Sequence, residues 1–192
     1  MNSHLFTLKT IINGHTVKIL VDPGADRTVI SASLLKKIES KHHGSTPLKI
    51  KTIIGKQAIQ GNLYSVVIPS KEGSMKIHGY RINKPPAEVN ENLGSDLKTD
   101  WPNLNDTIRN EVKQNRFLGK VDIMICQDNF WTLVLEGVIK HPSEKFGLLN
   151  TKLGWSVGGR VSTTSPMSWQ REGAEEVDIY LSNINRLQES AE

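Results

Sequence analysis

Ile19-Leu20-Val21-Asp22-Pro23-Gly24-Ala25-Asp26-Arg27-Thr28-Val29-Ile30 is the stretch on which the fold turns. Ile19-Leu20-Val21 is a continuous apolar run, suited to a strand buried on both faces, and Val29-Ile30 begins a second one. Between them, Asp-Pro-Gly on its own reads as a type II turn, with proline and glycine at the two centre positions. The flanks add a second reading. A carboxylate at the end of a buried strand, followed by glycine, would have backbone amides turned toward it. Asp26 and Thr28 follow at short, fixed range.

Working outward, LFTLKTII (5–12) and VKILV (17–21) are strand runs joined through Asn13-Gly14, a strong hairpin signal. Downstream, SASLLKKIESK (31–41) predicts a short helix capped by Ser31 or Ser33, with Leu34, Leu35 and Ile38 on one face. LKIKTIIGKQAIQGNLYSVVIPS (48–70) offers two further strand runs around Gly55 and Gly61, and KIHGYRI (76–82) another. Pro85-Pro86 ends this region. The polar stretch 87–116 predicts a long loop with one helix from Asn105. VDIMIC (121–126) is a short buried strand, DNFWTLVLEGVI (128–139) has a helix-like start, and LGWSVGGRVS (153–162) closes with a strand. Phe130, Trp131, Leu133 and Val134 read as core. The expected organisation is one β-rich domain over residues 1–162 and a polar, partly helical tail over 163–192.

Composition narrows the function classes. The chain has 192 residues, of which 37% are hydrophobic and 23% charged, enough apolar material for a core. One cysteine, Cys126, excludes an internal disulfide and a zinc site built on paired cysteines. No apolar run approaches the roughly 20 residues of a membrane helix. The first residues lack the apolar core of a signal peptide, so an intracellular, cytoplasmic protein without membrane partners is expected. Residues 1–84 carry 13 basic and 4 acidic groups, and residues 85–192 carry 11 and 16. The lysines of the basic half are scattered, with only Phe6, Tyr64 and Tyr80 as aromatics, which argues against a dedicated nucleic-acid binder. Among the six histidines, His15, His42-His43, His78 and His141 show no pairing with cysteine or acidic ligands, so no metal and no cofactor is expected.

The Asp22 segment resembles the active-site loop of retropepsin-like aspartic peptidases, in which two apolar residues precede Asp, Thr or Ser, Gly, Ala and an apolar strand. Asp22, Gly24, Ala25, Asp26, Thr28 and Val29 fit that pattern. WPNL (101–104), VDIMICQDNFW (121–131) and GLLNTKLGWSVGGRV (147–161) look like the second half of the aspartic peptidase domain of Pao/BEL-type retrotransposon polyproteins. The resemblance covers roughly residues 5 to 162.

The resemblance implies a mainly β fold: a single acid-protease lobe, a closed, flap-bearing β-barrel with one or two short helices. It implies that Asp22 activates water for peptide hydrolysis and that Ile54, Gly55 and Lys56 belong to a flap over a polypeptide substrate. Ile125 and Cys126 would lie on a strand supporting the catalytic loop. The chain has one Asp-x-Gly, so the second carboxylate would come from a second copy, in a homodimer. Two departures leave an alternative open. Pro23 stands where the family has a Thr or Ser that hydrogen-bonds across the dimer, and Cys126 stands where its strand ends in glycine. Together they favour a catalytically degenerate relative, kept for dimerisation or peptide binding. A family arginine that pairs with the residue at Asp26 is Gln127 here. Asp122 and Asp128 are read as ion-pairing or helix-capping groups.

Overall fold

The computed structural model describes residues 2–52, 55–90 and 96–161. The tail and Ile54 lie outside them. Strands β1 (Asn2–His4), β2 (Phe6–Ile12) and β3 (His15–Asp22) come first, and β2 and β3 pair antiparallel from Phe6↔Val21 to Ile12↔His15. Their turn is the anticipated Asn13-Gly14, with φ of 50° and 78°, the left-handed pair of a type I′ hairpin. After β4 (Val29–Ser31), Ser31 caps α1 (Ala32–Leu35) through a 3.3 Å bond from the Leu34 amide to its hydroxyl. The strands β5 (Ser40–Thr52), β6 (Gly55–Ser70) and β7 (Gly73–Ile82) form an antiparallel meander. Gly61 does not divide β6. A Cβ there would lie 2.3 Å from the Leu48 side chain and 2.7 Å from Tyr80, so glycine marks a close approach inside one strand.

The second half supplies β8 (Glu88–Val89), α2 (Leu97–Asp100), α3 (Asp106–Asn115), β9 (Gly119–Lys120), β10 (Ile123–Cys126), α4 (Gln127–Leu133), β11 (Val134–Lys140), β12 (Phe146–Thr151) and β13 (Gly154–Val161). The described residues thus hold four helices where one or two were expected. Besides α1, two are fixed by side-chain caps at their starts: Asp96 accepts from the Lys98 amide, and Asn105 from the Thr107 amide. The described part of 87–116 therefore holds β8 and two helices where a long loop with one helix was expected.

The main sheet has the strand order β2-β3-β10-β4-β7-β6-β5, with parallel pairs β3/β10 and β4/β7. A smaller sheet runs β1-β13-β12-β11. The protein is mainly β, as expected for an acid-protease lobe. The expected barrel is not a closed hydrogen-bonded ring among the described residues, because the main ladder ends at β2 and β5 without joining them.

Around β3 and β10 both faces of the main sheet are covered. Ile19, Val21, Ile123 and Ile125 enter one cluster with Leu8, Ile77 and Leu133, while Leu20, Met124 and Cys126 enter another with Phe117 and Val121. This two-sided burial is why VDIMIC reads as an unbroken apolar run. Trp131 departs from its core reading: α4 buries Leu133 and half-buries Phe130, but Trp131 is 76% exposed.

Candidate active site

Inserting β10 between β3 and β4 builds the site. Cys126 is the parallel partner of Asp22, which brings together residues about a hundred positions apart. At the head of β10, Asp122 accepts a 2.9 Å bond from the Lys18 amide and donates its own amide to the Lys18 carbonyl. It pins the strand start rather than capping a helix.

Asp22 ends β3 and is only 9% exposed. Its Oδ1 accepts a 2.9 Å bond from the Gly24 amide, and its carbonyl accepts a 3.3 Å bond from the Ala25 amide. The second of these closes a four-residue turn. Gly24 does not adopt the positive φ that a type II turn requires at this position, so the type II expectation is corrected. Proline fits the first centre position, whose amide the turn does not use. Pro23, Gly24, Asp26 and Arg27 are exposed and Ala25 is half-buried.

Thr28 holds the far end of this loop. Its fully buried hydroxyl donates to Asp128 Oδ1 at 2.6 Å and accepts from the Cys126 amide at 3.0 Å and Asn129 Nδ2 at 2.9 Å. One donor and two acceptor positions are the whole capacity of a hydroxyl. The Thr28 amide also donates to both Asp128 oxygens, at 3.0 and 3.1 Å. Asp128, in the first turn of α4, therefore serves the loop rather than capping the helix. Asn129 extends the network. Its Nδ2 donates to the His78 carbonyl at 2.8 Å and its Oδ1 accepts from the His78 amide at 3.2 Å, tying α4 to β7 beyond the end of β4. No local sequence pattern identifies Asn129 as part of this network. The available signal was a polar Asp-Asn pair lodged between a buried strand and Phe130. Gln127 contributes through its backbone, donating to the Ala25 carbonyl at 2.9 Å.

Burial penalises the Asp22 carboxylate and raises its pKa above the ordinary 3.8, with the Gly24 and Ala25 amide bonds pulling the other way. A raised folded-state value gives stability that is fully present below the unfolded pKa and lost as pH rises through the folded one. The Asp22→Asn protein should therefore melt above the parent at about pH 7, with the difference fading toward about pH 3. Calorimetry across that range checks it, and an unchanged or lower melting temperature at neutral pH would contradict the burial penalty.

Cys126 is fully buried beside this carboxylate. The strand accommodates it in the apolar cluster instead of being crowded out of register. Burial first, then the charges of Asp22, Asp128 and Asp26, push its thiol pKa far upward, which excludes a ready thiolate nucleophile. The folded protein should leave Cys126 unlabelled by a thiol reagent at about pH 8, and urea should expose it. Fast labelling of the native chain would contradict this burial.

Of the other predicted positions, Gly55 and Lys56 open β6 opposite Thr52 and Lys51. Gly55 therefore forms the last pair of the β5–β6 ladder. Among the described residues, no group of three or more histidine, cysteine, aspartate or glutamate side chains could hold a metal ion. No helix among them is long and apolar enough to cross a membrane.

Residues 8–108, more than half of the chain, match the family model described as aspartyl protease. The chain belongs to the aspartyl protease family. The match includes the Asp22 loop and the β5–β6 hairpin, and it ends before β10, so Cys126, Asp128 and Asn129 of this aspartyl protease domain lie outside it. No curated protein matches the chain.

Proposed function

We propose that the chain is an aspartic endopeptidase domain that works as a homodimer, with Asp22 of each copy at the shared axis. The observation that carries the reading is the placement of Asp22: a nearly buried carboxyl at a strand end, held by the Gly24 amide, on a loop anchored by Thr28. The exposed loop 23–27 beside it supplies the surface on which a second copy would close. Two such carboxyls a few ångströms apart share one proton, since both cannot ionise cheaply. The ionised one takes a proton from water as the oxygen attacks the peptide carbonyl, and the protonated one donates to the carbonyl oxygen. The burial that raises the Asp22 pKa helps keep that proton on the pair as pH rises. The β5–β6 hairpin, with Ile54, Gly55 and Lys56, would close over the substrate. The similarity of residues 101–104, 121–131 and 147–161 to the Pao/BEL pattern supports a retroelement polyprotein as the source and the substrate, in an intracellular setting.

Pro23 favours a second reading, a silent relative that binds peptide or dimerises. It lacks both the hydroxyl and the amide that the family uses across the dimer, bonds worth about 0.5–1.5 kcal/mol each. Incubating the chain with a mixed peptide library between about pH 4 and 7 separates the two readings. Cleavage abolished by Asp22→Asn supports the peptidase. An inert parent revived by Pro23→Ser with Cys126→Gly supports the silent relative. Inert revived variants would remove the case for Asp22 as catalytic.

A further inference from the structure

Two lysines and two histidines that are dispersed in the sequence, Lys41, Lys76, His43 and His78, converge on one face of the β5–β7 meander. Lys41 is the ladder partner of Ser65, Ser65 of His78, and Val67 of Lys76, so these positions share a side of the sheet. Along β7, Lys76 and His78 are exposed and alternate with buried Met75, Ile77 and Gly79. His43 reaches over from β5: its Nε2 lies 2.8 Å from Ser65 Oγ and its ring centroid 5.3 Å from that of His78. Partial desolvation against the sheet, and then the neighbouring His78, Lys41, Lys76 and His42, all cationic or able to become so, lower the His43 pKa. On α4, which packs against β7, Asp128 is engaged by Thr28.

We infer that this face is an exosite: a docking surface, outside the cleavage centre, for acidic stretches of the polypeptide substrate. The inference rests on the peptidase reading for the word substrate, but the binding it describes does not depend on cleavage. Charge complementarity selects the occupant, because a carboxylate-rich segment relieves the repulsion among the clustered cations. Relieving it favours the protonated imidazole, so docking takes up protons and strengthens as pH falls. Mild acid would then favour docking under the same conditions that keep a proton on a carboxyl pair. The patch is also joined to the catalytic loop. His78 is clamped by Asn129, which bonds Thr28, and two residues on the Tyr80 amide donates to the Thr28 carbonyl at 2.9 Å.

Fluorescence anisotropy with a labelled glutamate-rich peptide and the Asp22→Asn full chain, which removes the proposed catalytic carboxyl, tests the inference. Binding should be at least about fivefold tighter at about pH 5.5 than at about pH 7.5, and should weaken with salt. Lys41→Gln with Lys76→Gln should cut the affinity at both pH values. His43→Gln with His78→Gln should flatten the pH dependence. All four side chains are exposed, and unchanged circular dichroism checks that each variant is folded. Equal binding of a neutral peptide, or a pH dependence that survives the histidine changes, would overturn the exosite. So would tighter binding of a single-stranded oligonucleotide than of the peptide. Docking with no cleavage by the parent would instead count against the peptidase and leave the surface standing, while cleavage without docking would do the reverse.

Discussion

Replacing Thr28 by valine should destabilise the protein by about 3–5 kcal/mol, although the two side chains have nearly the same shape. The hydroxyl is completely buried and makes three bonds, so valine leaves the Cys126 amide and one Asn129 Nδ2 proton without an acceptor. Each orphaned buried donor costs about 1–3 kcal/mol, and Asp128 Oδ1 loses its shortest donor as well. Thr28→Ser keeps the oxygen and loses a methyl, for about 1 kcal/mol. Urea unfolding of the pair separates the effects. A valine variant as stable as the serine one would show that the hydroxyl network contributes little to holding the loop.

Gly159→Ala should cost a comparable amount for a different reason. Gly159 has φ 120°, which side-chain-bearing residues rarely adopt. A Cβ there would also sit 2.6 Å from both the Lys145 carbonyl oxygen and Phe146 Cα, backbone atoms that cannot swing aside. Strain of about 1–3 kcal/mol adds to overpacking of similar size. Gly159 faces Phe146 on one side and His4 on the other, so the damage falls on the β12–β13 and β1–β13 ladders. The melting temperature should drop by about 10 °C. Gly44→Ala is the control: its φ is also positive, at 91°, but a Cβ there meets nothing within 4 Å. That variant should show the backbone cost alone, about 1 kcal/mol. Equal melting of the two variants would contradict the steric account.

What could be read in advance was local chemistry. Asn13-Gly14 specifies its own turn, Ser31 and Asn105 cap the helices that follow them, and two-sided burial leaves a continuous apolar run such as VDIMIC. The four-residue α2 is too short to leave a periodic pattern, and only its Asp96 cap announces it. Insertion of β10 between β3 and β4 is a pairing across about a hundred residues, and no local propensity encodes it. The roles of Asp128 and Asn129 depend on that insertion, which is why local sequence presents Asp128 as an ion-pairing or helix-capping group and Asn129 as nothing in particular. Trp131 is exposed although its spacing matches the core residues, because helical spacing identifies a face, whereas only packing decides which residue lies at its edge. Proline and glycine fit more than one turn, and the bond from the Ala25 amide together with the Gly24 backbone decides between them.

The most direct test of a shared catalytic site is a subunit-mixing titration. Parent and Asp22→Asn chains are unfolded together, refolded in varying proportions at constant total concentration, and assayed for peptide cleavage. If each site needs Asp22 from two copies, activity falls as the square of the parent fraction, to about one quarter in an equal mixture. A linear fall to about one half, or cleavage unaffected by Asp22→Asn even in the pure variant, would contradict the account.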